Sequence, residues 1–251
     1  MGKYIKLFEE HVDYMAYISS QDAILPNVSA CIDANDVHYN PEPYGGHEYV
    51  EIGGLKWATM NLGANSVTDT GLYFQWGDTQ GYTAAQIGSG EGQKYFGWED
   101  YKYATNPQEY NPDMTKYNAT DGKTVLDADD DAVKAAWGGA WRMPTKAEFE
   151  SLISATTIER VTDYLGSGVN GGLFTDITDS TKKIFIPYCG RTYNGELIDL
   201  NASVCWSKTL RSDIVTNAYQ FFFDSLGDEY SGPGIVQESR NASGNIRPIA
   251  D

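Results

Sequence analysis

The sequence predicts an α+β fold for its main part, residues 48–251, preceded by a small N-terminal segment over residues 1–47. Two short segments have helix signals, and several others have strand signals. The stretch from about 77 to 125 is long, irregular and rich in Gly, Tyr and Asn. A long irregular insert counts against a plain β-sandwich or barrel. We therefore expect two helices and a twisted, mainly antiparallel sheet that supports extended loops.

The helix signals lie in the middle of the chain. Thr145, followed three residues later by Glu148, forms a capping box, in which each side chain satisfies a backbone N–H at the start of a helix. Pro144 ends any earlier helix. An apolar stripe at helical spacing then predicts a helix over 146 to about 155: Phe149, Leu152 and Ile153. A shorter helix is expected over 127–136, where acids occupy the first turn and favour the helix dipole.

The strand signals are spread along the chain. The run from Tyr49 to Ala58 predicts a hairpin, because its central Gly53-Gly54 pair supplies the positive φ that tight turns need. Further strands are expected near 183–188, 218–223 and 244–249. Five indole side chains are expected to be largely buried among these elements, namely Trp57, Trp76, Trp137, Trp141 and Trp206.

Composition excludes several classes of function. The formal net charge of −17 argues against binding to a phosphate backbone, which needs clusters of Lys and Arg, and against anionic membrane surfaces. No apolar run approaches the roughly 20 residues that span a bilayer. The N-terminus has no hydrophobic signal region, so we expect neither membrane insertion nor an export signal in this sequence. Cys31, Cys189 and Cys205 form an odd, widely spaced set, which predicts free and mostly buried thiols.

Several motifs in order resemble a known family. The segment Trp137–Glu150 is similar to the Arg-Leu-Pro-Thr-x-x-Glu-Trp-Glu signature of the C-type-lectin-like superfamily. This segment and five further motifs together resemble the Fibrobacter-type major paralogous domain over about residues 48 to 250. The five further motifs are Leu55–Gly63, Gly71–Asp78, Cys205–Ser207, Asn217–Tyr219 and Arg240–Pro248. The resemblance implies a C-type-lectin-like fold. Variable proteins of diversity-generating retroelements share the C-terminal pattern.

The N-terminal segment has a different pattern. Apolar residues at helical spacing predict a short amphipathic helix, namely Phe8, Val12, Met15 and Ile18. An extended stretch over Ile24–Ile32 and a Pro- and Gly-rich linker over Asn40–Gly46 follow. The run from Ala23 to Pro41 is similar to N-terminal segments of structural proteins of gut bacteriophages. This similarity implies an attachment element in front of a display domain.

No catalytic or metal-binding pattern is complete. The acidic run from Asp127 lacks the Gly and Glu that an EF-hand loop requires at its sixth and twelfth positions. The sequence lacks the calcium-binding motifs of sugar-binding C-type lectins. It also lacks the closely spaced cysteine pair that holds copper in the formylglycine-generating branch of the superfamily. All three histidines precede residue 48, so they cannot form a histidine triad within the main domain. We expect a protein that is not an enzyme and has no cofactor or essential metal.

The expected function is recognition of a protein or glycan receptor on a cell surface, with no nucleic-acid partner. The protein would be encoded by a phage or prophage and located on a virion or cell surface. Two alternatives stay open: a carbohydrate-binding surface module of a gut bacterium, and a structural virion decoration protein. The oligomeric state, for example a trimer, also stays open.

The ligand-binding surface is expected in the C-terminal third. Alternation along 219–224 puts Tyr219, Phe221 and Phe223 on the core face and leaves Phe222 beside polar neighbours, as on a contact surface. The resemblance to retroelement-diversified proteins implies one solvent-facing patch. Its candidate residues are Arg191, Tyr193, Cys205, Lys208, Arg211, Asp213, Ile214, Phe222, Asp224, Asp228, Tyr230, Asn241 and Asn245.

Overall fold

The protein folds mainly as β-structure, so the predicted α+β class is wrong. The computed structural model describes residues 43–107, 112–193, 195–226 and 232–251. Strands account for 36% and helices for 14% of the structure. The two α-helices of the described ranges are α1 (Ala132–Trp137), with 6 residues, and α2 (Lys146–Ala155), with 10. The helix predicted over 146 to about 155 is confirmed. The helix predicted over 127–136 is limited to Ala132–Trp137, because the preceding acids form a 3-10 turn and the N-cap Asp131. Neither signal indicates how much strand surrounds the helices.

The strands are short. In chain order they are β1 (Tyr49–Ile52), β2 (Leu55–Ala58), β3 (Ala104–Thr105), β4 (Asp113–Met114), β5 (Trp141–Arg142), β6 (Thr156–Val161), β7 (Gly171–Asp176), β8 (Lys183–Pro187), β9 (Arg191–Tyr193), β10 (Glu196–Ile198), β11 (Ala202–Leu210), β12 (Asn217–Asp224), β13 (Gly234–Ser239) and β14 (Ile249–Ala250). The hairpin and the strands near 183–188 and 218–223 are confirmed. The strand expected over 244–249 is limited to β14, and its earlier part makes only isolated bridges at Gly244 and Asn245.

The strands form five small antiparallel sheets, ordered β1-β2-β14-β5, β6-β7-β8, β11-β12-β13, β9-β10 and β3-β4. In the first sheet, β14 lies between β2 and β5, so the C-terminus is paired on both sides. In the third sheet, β12 is central. One of its faces packs through Phe221 and Phe223 against Phe149 and Phe174. The opposite face packs against the segment around Gly244.

Most of the predicted core residues are buried. Trp57, Trp76, Trp141 and Trp206 are at most 1% exposed. Trp137 is only partly buried and stacks on His47, with ring centroids 3.6 Å apart. The two thiols inside the described ranges, Cys189 and Cys205, are buried and free as expected, whereas Cys31 lies outside those ranges.

The start of the described chain packs on the main domain. The indole Nε1 of Trp141 donates a hydrogen bond to the carbonyl oxygen of Tyr44 at 2.9 Å. Residues 44–47, which the sequence assigned to the N-terminal segment, therefore contact residues of the 48–251 part. The predicted helix, the extended stretch and the first three residues of the linker, 40–42, lie outside the described residues.

The capping box that begins α2 is confirmed. The Thr145 hydroxyl accepts from the backbone N–H of Glu148 at 3.2 Å, and the Glu148 carboxylate accepts from the backbone N–H of Thr145 at 2.7 Å. Arg142 holds the same carboxylate through both terminal nitrogens, at 2.6 and 2.9 Å. This ties the end of β5 to the start of α2.

Asp130 gives the fold a testable pH dependence. Its carboxylate receives hydrogen bonds from Lys102, Lys116 and Tyr117 at 2.5–3.0 Å. Burial by itself raises the pKa of Asp130, but these hydrogen bonds outweigh it and hold the pKa below its ordinary value of 3.8. A carboxylate with a depressed pKa stabilises the fold above the unfolded-state pKa. That stabilisation is lost as the pH falls below it.

We therefore expect Asp130→Asn to lower the melting temperature at neutral pH, by a difference that shrinks as the pH falls below about 4. Melting curves of wild type and variant across this range measure the effect. Asp129→Asn, at the exposed neighbouring position, is the control and should leave the melting temperature nearly unchanged. A difference that stays constant down to the lowest pH would contradict the assignment.

Candidate functional site

The described part of the chain contains an open groove of about 860 Å³. This is within the range of about 300–1,000 Å³ that is typical of ligand pockets. Three stretches of chain line it: residues 95–100, the β9–β10 hairpin, and the adjoining ends of β12 and β13. We call this recess the 95–191–238 groove.

The first side is the segment 95–100. Phe96 adopts a positive φ of 63° and is buried, which anchors the segment between its two more exposed neighbours. Trp98 begins a 3-10 turn, Trp98–Asp100, and packs edge-on against Tyr101 with ring centroids 5.6 Å apart. Tyr95 is 42% exposed. On this side, the rings of Tyr95 and Trp98 are therefore at least partly exposed to solvent, while the buried Phe96 holds the backbone between them in place.

The second side is the β9–β10 hairpin. Tyr193 is 66% exposed, whereas its neighbour Thr192 is buried and accepts a hydrogen bond from the backbone N–H of Ser243 at 3.0 Å. The hairpin turns at Gly195, where φ is +77°, and a Cβ there would lie 2.6 Å from the Tyr95 ring. Glycine at this position thus allows Tyr95 to pack on the hairpin.

The third side consists of two parts. One is formed by Ile214 and Asn217, and the other lies at the end of β13, where Glu238 and Asn241 line the groove. The buried side chain of Gln75 connects this side to the first, as does the amide of Asn241, which donates to the Phe96 carbonyl oxygen at 3.4 Å. The amide nitrogen of Gln75 donates to the carbonyl oxygen of Gly97 at 3.2 Å and to that of Asn241 at 3.0 Å.

Beneath the third side lies Arg240, which is fully buried. Its guanidinium donates to the Tyr101 hydroxyl and to three carbonyl oxygens, those of Lys116, Tyr117 and Val215, at 2.7–3.2 Å. It also lies over the Trp76 ring, 4.7 Å from the ring centroid. Burial raises the pKa of Tyr101, so the phenol stays neutral and accepts from the arginine. Beneath the groove there is therefore a buried guanidinium that donates four hydrogen bonds.

Charges around the groove are predominantly negative. Arg191 is paired with Asp199, with 2.8 Å from Nε to Oδ2, and with Glu238. On the opposite side, Lys94 lies 3.6 Å from the carboxylate of Asp100, next to Glu99. These six groups comprise four carboxylates and two cations, which leaves an excess of two negative charges.

Four of the sequence-predicted site residues line the groove: Arg191, Tyr193, Ile214 and Asn241. Arg211 and Asp213 lie in the same loop as Ile214 but pair with each other at 2.9–3.0 Å. Lys208 is separate, because its Nζ points towards the buried carboxylate of Asp131 at 3.7 Å.

Two predicted site residues are wrong because they are fully buried. Cys205 lies in β11 and belongs to the apolar core with Phe221. Asn245 is also inaccessible, since its side-chain amide donates to the backbone carbonyls of Thr70 and Leu72 at 2.8 and 3.0 Å.

The predicted contact face of β12 needs the same correction. Gln220 is fully buried, and its amide donates to the Ser243 carbonyl oxygen at 3.3 Å. Asp224 is only 7% exposed. Phe222 is half-buried, and neither it nor Asp224 lines the groove. Asp228 and Tyr230 lie outside the described residues.

Sequence reasoning missed the aromatic and acidic residues of the groove's first side, Tyr95, Trp98, Glu99 and Asp100, and also Glu238. The signal was the density of aromatic rings and acids within the irregular stretch 77–125. That signal does not reveal which residues lie opposite β9, because this depends on long-range packing.

Comparisons with known proteins gave no match to a protein-family model, a curated protein or a solved structure. Within the described ranges, no group of three or more His, Cys, Asp or Glu side chains is arranged to hold a metal ion. Nor does any helix there have both the length and the apolar character needed to cross a bilayer.

Proposed function

We propose that the protein is a non-enzymatic recognition protein and that the 95–191–238 groove is its ligand-binding site. The observation that supports this most directly is the combination of size and lining. A groove of about 860 Å³ presents Tyr95, Trp98 and Tyr193 on two facing stretches of chain. Exposed aromatic side chains are the residues that most often dominate binding energy at interfaces.

The resemblance to retroelement-diversified proteins contributes to this proposal. It implies a variable surface in the C-terminal third, and four residues of that predicted surface line the groove. We include in the proposal that the protein is encoded by a phage or prophage and displayed through residues 1–47. Its partner would then be a receptor on a cell surface.

A carbohydrate-binding module is the second candidate function. Aromatic rings that face solvent can stack on the apolar faces of sugars, and Tyr95 and Tyr193 are 42% and 66% exposed. Both candidates use the same groove, so one set of variants tests the position of the site in either case.

The test is a search for binders followed by substitution. Immobilised protein is screened against a random-peptide library and a panel of glycans, and the affinity of each binder is then measured by calorimetry. We expect Tyr193→Ala and Trp98→Ala each to weaken binding about tenfold or more, which corresponds to about 1.4 kcal/mol. Because Tyr193 is mostly solvent-exposed, its replacement should leave the melting temperature nearly unchanged.

Ile177→Ala is the matched control. Ile177 is 61% exposed and borders a separate, smaller recess of about 260 Å³ beside the β1–β2 turn. Binding should survive this substitution. If Ile177→Ala abolishes binding while the groove variants bind as wild type, the site is the smaller recess. If neither library yields a binder, the recognition function itself is refuted.

A further inference from the structure

We infer that the 95–191–238 groove binds a positively charged peptide segment, one that presents Arg or Lys side chains. This inference rests on the proposed function and specifies its ligand class. It follows from the charge balance at the groove, from the ion pairs of Arg191, the cation among the described lining residues, and from the aromatic rings beside the acids.

The charge balance favours a cation. Glu99, Asp100 and Glu238 line the groove, and Arg191 is the cation among the lining residues. Opposite charges across an interface raise association rates and exclude partners of the same sign. The net charge of −17 on the whole chain adds long-range attraction for cationic ligands.

Arg191 is poorly suited to capture an anion. Its guanidinium is already held by the carboxylates of Asp199 and Glu238. An incoming sulfate, phosphate or carboxylate would have to displace one of these and approach the other. The usual basis for anion recognition, a guanidinium that offers a free pair of donors, is therefore occupied.

The rings supply a second attraction for a cation. Trp98 directly precedes Glu99 and Asp100, and Tyr193 is two residues from Arg191 on the facing hairpin. A guanidinium or ammonium group over an aromatic face is attracted by the partial negative charge on the face of the ring. Neighbouring carboxylates add a charge–charge attraction for a cation, which a neutral sugar does not have.

The test uses three hexapeptides of glycine and serine that differ at two positions, which hold arginine, its neutral isostere citrulline, or glutamate. Binding is followed by chemical-shift changes in the labelled protein. We expect the arginine peptide to perturb groove residues with a Kd of about 1 mM or tighter. The citrulline peptide should bind at least about fivefold more weakly, and the glutamate peptide should not bind. Raising the salt concentration from about 50 to about 300 mM should weaken arginine binding.

Charge-changing variants refine the test. Glu99→Gln should weaken binding of the arginine peptide about threefold or more, and Arg191→Gln should strengthen it, because each changes the groove charge by one unit. Glu159→Gln is the control: it removes the same charge from an exposed position on β6, away from the groove. Its affinity should equal that of the wild type. Melting curves confirm that each variant is folded.

The outcomes separate the inference from the function on which it rests. Equal binding of the arginine and citrulline peptides, or stronger binding after Glu99→Gln, overturns the cationic ligand. Failure of all three peptides, with a glycan bound at the groove, also overturns it and leaves the recognition function intact. Failure of peptides and glycans alike refutes both.

Discussion

Replacing Arg240 by methionine is expected to lower the free energy of unfolding by about 3–5 kcal/mol. Methionine fills a similar volume but donates no hydrogen bond. The substitution therefore leaves the carbonyl oxygens of Lys116, Tyr117 and Val215 without this donor. It also removes the cation from the Trp76 ring. The Tyr117 acceptor is buried and the other two are partly buried, so water compensates their desolvation only in part.

Urea denaturation followed by circular dichroism measures this loss. Arg240→Lys should also be destabilised, because an ammonium group cannot reproduce the planar fork of donors. Arg211→Met is the matched control, since Arg211 pairs with Asp213 in a surface loop, and the stability of this variant should change little. A wild-type midpoint for Arg240→Met would show that this buried network does not stabilise the fold.

Trp141→Ala is expected to cost about 3–5 kcal/mol, the usual range for removing a buried indole. Trp141 is 1% exposed and packs edge-on against Tyr44, His47 and Trp137. Its loss leaves a cavity and removes one of the two hydrogen bonds that the Tyr44 carbonyl oxygen accepts, the other coming from the backbone N–H of His47. The melting temperature should fall sharply, as measured by calorimetry.

Trp137→Ala provides the comparison for this prediction. The two indoles lie 5.2 Å apart between centroids, but Trp137 is only partly buried. Its replacement should therefore cost clearly less than that of Trp141. Equal losses for the two variants would mean that the cluster around Tyr44 and His47, rather than the core, determines the effect.

The elements that could be predicted from the sequence are those determined by adjacent residues. Thr145 and Glu148 specify the start of α2 within a single turn, and Gly53-Gly54 specifies a hairpin within a few residues. The fold class depends instead on pairings between distant segments. Ile249 pairs with Trp57 on one side and Arg142 on the other, and no local pattern around Ile249 indicates either partner.

The same limit applies to the groove. Arg191 and Tyr193 were identified through a family resemblance, but Tyr95 and Trp98, about a hundred residues earlier in the chain, were not. Cys205 was also assigned through that resemblance, which does not show whether a position is covered by other parts of the chain, and alternation along a strand does not show this either. In this protein both faces of β11 are buried, so alternation cannot separate core from contact surface.

The buried amide of Gln75 has a consequence for how the groove responds to a ligand. By donating to both Gly97 and Asn241, this amide crosslinks two walls whose residues are far apart in sequence. The walls are thus held at a fixed separation before any ligand arrives. Ordering a loop or side chain on binding typically costs about 0.5–1.5 kcal/mol for each immobilised group. A preorganised groove avoids much of this entropic cost, so a small ligand can be held by few contacts.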